Sequence, residues 1–238
     1  MSWTLVLVCE GGADAADLRA LTTRVIEEEH DWVRGITESV VTWWHPDGSA
    51  GYVSWTEILK LAAPLTVPPV HGESGSPVQR QVLRLARAIQ RQRRKEHCCV
   101  VFVHDGDRNA SAWAEGIAAG ISAWKRHEKD RLAFGIAQPE HEAWVLAGYS
   151  PEGETETANF AALRKRLGFD PCEQSERLTS AKVTDPNDAK RALDELRLSK
   201  TRREEVLERA PLERLRARGQ ANGLKDFLDA IREKIAPL

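Results

Sequence analysis

No apolar run in the sequence approaches the ~18 residues that a membrane-crossing helix requires, so no spanning segment and no membrane partner is expected. The apolar start of the chain has no basic n-region and runs straight into Glu10, which argues against a secretory signal. Cysteine is scarce: there are four, two of them adjacent at Cys98 and Cys99, with no CxxC spacing and no disulfide framework. That usage suits a reducing cytosol, and a cytoplasmic location is the expectation. Tyrosine is scarcer, only Tyr52 and Tyr149, so chemistry that needs a tyrosine nucleophile, such as strand passage, has little to work with. An excess of one charge is also missing. The net charge of −2 gives no global nucleic-acid signature, and any basic surface has to be local. At 238 residues the chain can still bury a full core.

What the sequence does have is short apolar runs that end in acids. Cys98-Cys99-Val100-Val101-Phe102-Val103-His104 leads into Asp105-Gly106-Asp107. A continuous run of this length suits a strand buried on both faces, as in a parallel α/β sheet. Side chains alternate along an extended backbone, so Asp105 and Asp107 project to one side if the extension persists through Gly106. A second run, Trp3 to Cys9, ends in Glu10-Gly11-Gly12-Ala13-Asp14 and is followed by a helical pattern to about residue 30, with Leu18, Leu21, Val25 and Ile26 on one face. Ligands in open α/β sheets gather at the carboxyl ends of strands. Acids at two such ends point to a hard divalent cation, Mg2+ or Mn2+, held by oxygen.

A third run, Leu132 to Ala137, precedes Gln138-Pro139-Glu140-His141-Glu142-Ala143-Trp144. Pro139 suits the first position of a helix, with Glu140 and Glu142 in its first turn. In a regular helix these two lie about 200° apart, so one is expected to approach a metal and the other to hold a basic neighbour or the helix end. Taken in this order, Glu10-Gly11-x-x-Asp14, Asp105-x-Asp107 and Glu140-x-Glu142-Ala143 resemble the motifs of the TOPRIM superfamily, in its DUF4276 branch related to RloB-type proteins. The likeness covers roughly Trp3 to Leu196. It implies a Rossmannoid α/β fold with a mostly parallel sheet, a site of Glu10, Asp105 and Asp107 with Glu140 and Glu142 as further ligands, and a metal-dependent nuclease. It also implies a place in bacterial anti-phage defence, with a partner ATPase or another defence protein.

Two regions fall outside those motifs. Residues 40–77 combine Trp43-Trp44-His45-Pro46-Asp47-Gly48 with Pro64, Pro68, Pro69 and Pro77, too many turn residues for a continuous helix. This stretch reads as an insertion that covers the site or binds a partner, or as a flap packed by its own tryptophans. A strong helix then spans Val78 to about Glu96, with Val82, Leu85, Ala86 and Ile89 inward and Arg80, Arg84, Arg87 and Arg91 in one stripe. The stripe is either a phosphate track or a solvated face. A further helix runs from a Ser111 cap to about His127. Residues 1–150 thus read as the α/β domain and 151–238 as a helical region, with helices near 156–167, 186–197, 201–218 and 222–235. Lys182 is a further candidate phosphate contact. Two alternatives to a nuclease stay open: a catalytically degenerate module that binds a partner or nucleic acid, and an Asp-x-Asp nucleotide-sugar transferase or phosphatase.

Overall fold

The computed structural model describes residues 2–47, 51–63, 77–92, 99–106, 109–124, 131–180, 182 and 184–237. Two apolar runs form the middle of the sheet, β1 (Trp3–Cys9) and β4 (Cys99–Asp105). Their register pairs Leu5 with Cys99 through Val8 with Phe102. β5 (Arg131–Ala137) adds on the far side of β4. β2 (Val41–Trp43) and β3 (Val53–Ser54) pair with β1 one after the other along its other edge. The order is β2-β1-β4-β5, and every pairing among the described residues is parallel. The chain is therefore an α/β protein with a Rossmann-like parallel sheet.

Alternation sorts the two central strands into two cores. Leu5, Leu7 and Cys9 with Val101 and Val103 face a layer built by α1 (Gly12–Glu29), α6 (His141–Gly148) and the C-terminal helices. Val6, Val8, Val100 and Phe102 face the layer of α3 (Ile58–Ala62), α4 (Pro77–Gln92) and α5 (Ala110–Ala123). Residues buried on both faces of a sheet must be apolar at every position, which is why these strands read as unbroken runs.

The helix that leaves β1 lies on one face and the helix that leaves β4 on the other. The crevice between the carboxyl ends of β1 and β4 is thus the switch point of the fold, where open α/β sheets bind their ligands. Glu10 and Asp105 stand at that place.

Several expectations need correction. The 40–77 segment supplies β2, β3 and α3 as well as the end of a short α2 (Thr37–Val40), so part of it belongs to the sheet. Pro64, Pro68 and Pro69 lie outside the described residues. Pro139 is not the first residue of α6: Glu140, with extended backbone, is the N-cap and only Glu142 is in the first turn. α5 begins at Ala110, flanked by Asn109, so Ser111 is not its cap. After α7 (Gly153–Leu167) and α8 (Ala189–Glu195), the expected 201–218 helix is two, α9 (Lys200–Arg209) and α10 (Leu212–Arg218). Pro211 between them has no N–H to donate and holds Ala210 in an extended conformation. α11 (Leu224–Ala230) runs into a π-helical turn, Ile231–Ile235. These C-terminal elements share the first core: the Trp3 indole donates to the Ile235 carbonyl at 3.1 Å. No helix among the described residues is long and apolar enough to cross a membrane.

Candidate active site

At the end of β1 the chain turns at Gly11 into α1, and the Gly11 N–H donates to Asp14 Oδ2 at 3.1 Å. This local bond pins the Asp14 carboxylate beside the helix start, where the exposed N–H groups favour an anion. β4 delivers Asp105, an odd-numbered residue on the face that looks toward α1. The Asp105 N–H lies 3.3 Å from Glu10 Oε1, and His104 Nδ1 lies 3.2 Å from the same oxygen. His104 is itself stacked on Trp113, with ring centroids 3.3 Å apart. From the other side the His141 N–H, at the start of α6, donates to Asp105 Oδ1 at 2.9 Å. Three chain segments remote in sequence therefore meet at one residue.

The electrostatics follow from that crowding. Burial pushes the Asp105 carboxyl up to about 8, with the acids Glu10, Asp14 and Glu142 adding to the rise and the His141 N–H opposing it. Asp14 is raised as well, chiefly by burial. Behind it, His141 is buried, with Nδ1 3.4 Å from Asp14 and Nε2 3.5 Å from Asp17. Burial lowers His141 to about 4 and raises Asp17 to about 7. Burial thus favours the neutral form of both groups.

Two cations border the cluster. Lys190 Nζ lies 3.0 Å from Glu140 Oε2, and the Lys190 N–H donates to Glu140 Oε1 at 3.2 Å. Burial works to lower the Lys190 ammonium, but Glu140, Glu142 and Asp105 together raise it. Arg203 Nη2 lies 3.4 Å from Glu142 Oε1.

The structure thus gathers Glu10, Asp105 and Glu142, and turns Glu140 toward α8, where Lys190 holds it. Asp107 lies outside the described residues. Lys182 is exposed in the turn before α8, and its carbonyl accepts from the Asp185 N–H. The arginine stripe sits on α4, in the layer opposite the one Asp105 faces. Arg80 and Arg91 are exposed, but Arg84 and Arg87 are half-buried, which corrects the expectation of a fully solvent-facing stripe. Arg87 borders a small hollow with Leu83, Ala86, Ala123 and Trp124. The motifs did not point to Asp17, His141, Lys190 or Arg203. Asp17 follows Asp14 by one helical turn, and His141 stands between the two glutamates; those spacings were the available signal.

Glu10, Asp14, Asp105 and Glu142 offer the oxygen donors that a hard divalent cation prefers, but among the described residues no three of their ligand atoms lie within 4.8 Å of one another. Carboxylates on neighbouring strand ends repel one another, which adds to burial in favouring the protonated form of Asp105. Among the described residues, the set of three ligand-type atoms lying within 4.8 Å of one another is His45, Asp47 and Glu57, on the turns that follow β2 and β3. Comparison of the chain with protein-family models, curated proteins and solved structures finds no match.

Proposed function

We propose that the chain is a metal-dependent phosphodiesterase of TOPRIM type that cleaves nucleic acid. One observation carries this reading: Glu10 and Asp105, from neighbouring parallel strands, approach each other at the switch point of the sheet with Asp14 beside them, and burial, helped by these acids, raises the Asp105 carboxyl to about 8. Asp105, Asp14 and Glu10 would hold Mg2+ or Mn2+, with Asp107 as the further acid of the motif. A cation there supplies Lewis-acid polarisation of a phosphoryl oxygen and a bound water of lowered pKa. Glu10, with 40% of its side chain accessible, would act either as a ligand of that cation or as the group that takes a proton from an attacking water. Lys190 keeps half of its side chain exposed, and its ammonium, held on one side by Glu140, would meet a phosphate oxygen on the other. The Tyr149 hydroxyl donates to Glu156, so it is committed to the fold. A role in anti-phage defence, with a partner ATPase, rests on the family resemblance alone.

The test is the purified protein with Mg2+ or Mn2+ against plasmid, single-stranded DNA, RNA and UDP-sugars. Cleavage of one nucleic acid, abolished by chelation, is the expected result. Glu10→Gln keeps the shape and removes the charge, and turnover should drop on the order of 10²-fold or more across the pH range. Near wild-type activity in that variant would remove Glu10 from the chemistry. The degenerate-module reading has one observation in its favour: Glu140 and Glu142 are already paired with Lys190 and Arg203. It predicts binding without turnover in the same assay.

Substrate capture by α4 has its own readout. If the stripe tracks phosphates, replacing Arg80, Arg84, Arg87 and Arg91 by Gln flattens the salt dependence of duplex binding, by roughly 0.9 in log–log slope for each phosphate that is no longer neutralised. The half-burial of Arg84 and Arg87 places most of that change on the outer pair, so Arg80→Gln with Arg91→Gln should reproduce it. An unchanged slope would move the nucleic-acid path off α4.

A further inference from the structure

We propose that His45, Asp47 and Glu57 form a second metal site, for a first-row divalent cation such as Zn2+ or Co2+, that ties the 41–57 segment to the edge of the sheet. This is independent of the phosphodiesterase reading. The three residues stand on two turns brought together because β2 and β3 dock in succession along β1. His45 follows β2, and Glu57 closes the turn after β3, where its N–H donates to the Ser54 carbonyl at 3.0 Å. His45 Nδ1 lies 2.5 Å from Asp47 Oδ1, and Nε2 lies 3.6 Å from Glu57 Oε2.

The chemistry of the set selects the cation. One imidazole and two carboxylates offer two negative charges and a nitrogen donor, which suits Zn2+ or Co2+ and gives little to Mg2+, an ion that favours oxygen. The imidazole is buried, with 3% of its side chain accessible, while Asp47 and Glu57 retain 51% and 35%. A buried nitrogen with two partly open carboxylates gives an entry path and leaves positions for water. His45 Nδ1 is within hydrogen-bond distance of both the Asp47 carboxylate, at 2.5 Å, and the Asp47 N–H, at 3.2 Å, and the ring tautomer sets which of the two it bonds.

The consequence reaches the first site. The same segment carries Trp55, whose indole donates to the Val103 carbonyl at 2.8 Å and whose ring lies 5.5 Å from that of His104. His104 touches Glu10. A cation on the triad therefore holds the aromatic wall beside the carboxylates.

The test titrates the full chain with Zn2+ and Co2+, following stoichiometry, Co2+ visible absorption and melting temperature. One equivalent that resists competition by Mg2+ should bind to the wild type and to Asp105→Asn and raise the melting temperature of both. His45→Ala should weaken that binding tenfold or more and lose the Co2+ bands and the thermal shift. Asp47→Asn and Glu57→Gln should each weaken it by a similar factor, and they carry the test if His45→Ala does not fold. Unchanged affinity in these variants would overturn the proposal, as would Mg2+ displacing the ion at equal concentration. Loss of binding in Asp105→Asn with retention in His45→Ala would also overturn it and assign the ion to the first site. No binding by the wild type would overturn it too, leaving an imidazole bonded to two acids.

Discussion

Asp105→Asn is expected to reduce metal-dependent cleavage by a factor on the order of 10²–10³ while making the metal-free protein more stable at neutral pH. The two effects have one cause. In the unfolded chain the Asp105 carboxyl titrates at about 3.9, whereas burial and the neighbouring acids raise it to about 8 in the fold. Between these values the folded state holds a proton that the unfolded state has released. Stability therefore falls as pH rises through that window, and the loss is complete above about pH 8. Asparagine has no charge to bury, so the melting temperature of the variant should pull ahead of the wild type from about pH 4 upward and level off near pH 8. Asp17, raised to about 7, is unchanged in the variant and contributes equally to both proteins. Solvent screening of a half-buried group reduces the gap to on the order of 1–3 kcal/mol, or several degrees for a chain of this size. Added Mg2+ should raise the melting temperature of the wild type and leave the variant nearly unmoved. A gap that does not open with pH would mean Asp105 is neither desolvated nor crowded by acids, and cleavage at the wild-type rate would take it out of the site.

The second large effect concerns the C-terminal helices. Phe227 on α11 is fully buried, and its ring stacks on Trp144 of α6 with centroids 5.1 Å apart. It also packs against Gly135 of β5, where an added Cβ would come within 2.8 Å of the Phe227 ring. The glycine is required there by the close approach of that ring to the strand. Phe227→Ala should leave a cavity between β5, α6 and α11 and cost about 3–5 kcal/mol. The melting temperature should fall on the order of 10 °C, in one transition, because α11 shares its core with β1 and α1. Turnover should fall too, since Trp144 lies on the helix that presents His141 and Glu142. Two separate transitions, with the sheet melting unchanged, would show that the helical region folds apart from it.

The central strands and their layers were legible in the sequence because the information is local. A run such as Val100-Val101-Phe102-Val103 has no polar position to face water, so it can only be a strand covered on both sides. The alternation within β4 also announced which side Asp105 would take. The α1 helix was equally plain, from Leu18, Leu21, Val25 and Ile26. The expected helix over 201–218 is broken for a local reason that is visible but easily outweighed: Pro211 interrupts an otherwise regular pattern of charged and apolar residues.

The partners of the acids were not legible. Lys190 and Glu140 lie 50 residues apart, and Arg203 and Glu142 lie 61 apart. No periodicity links such pairs, and only the folding of α8 and α9 back onto α6 brings them within reach. The His45, Asp47 and Glu57 group likewise spans a turn whose closure depends on β2 and β3 docking side by side on β1. By itself the sequence determined the parallel sheet and the acids at the ends of two of its strands. Which acids lose their water and which keep a basic neighbour was decided by the tertiary structure alone, because desolvation sums over every segment packed around a carboxylate.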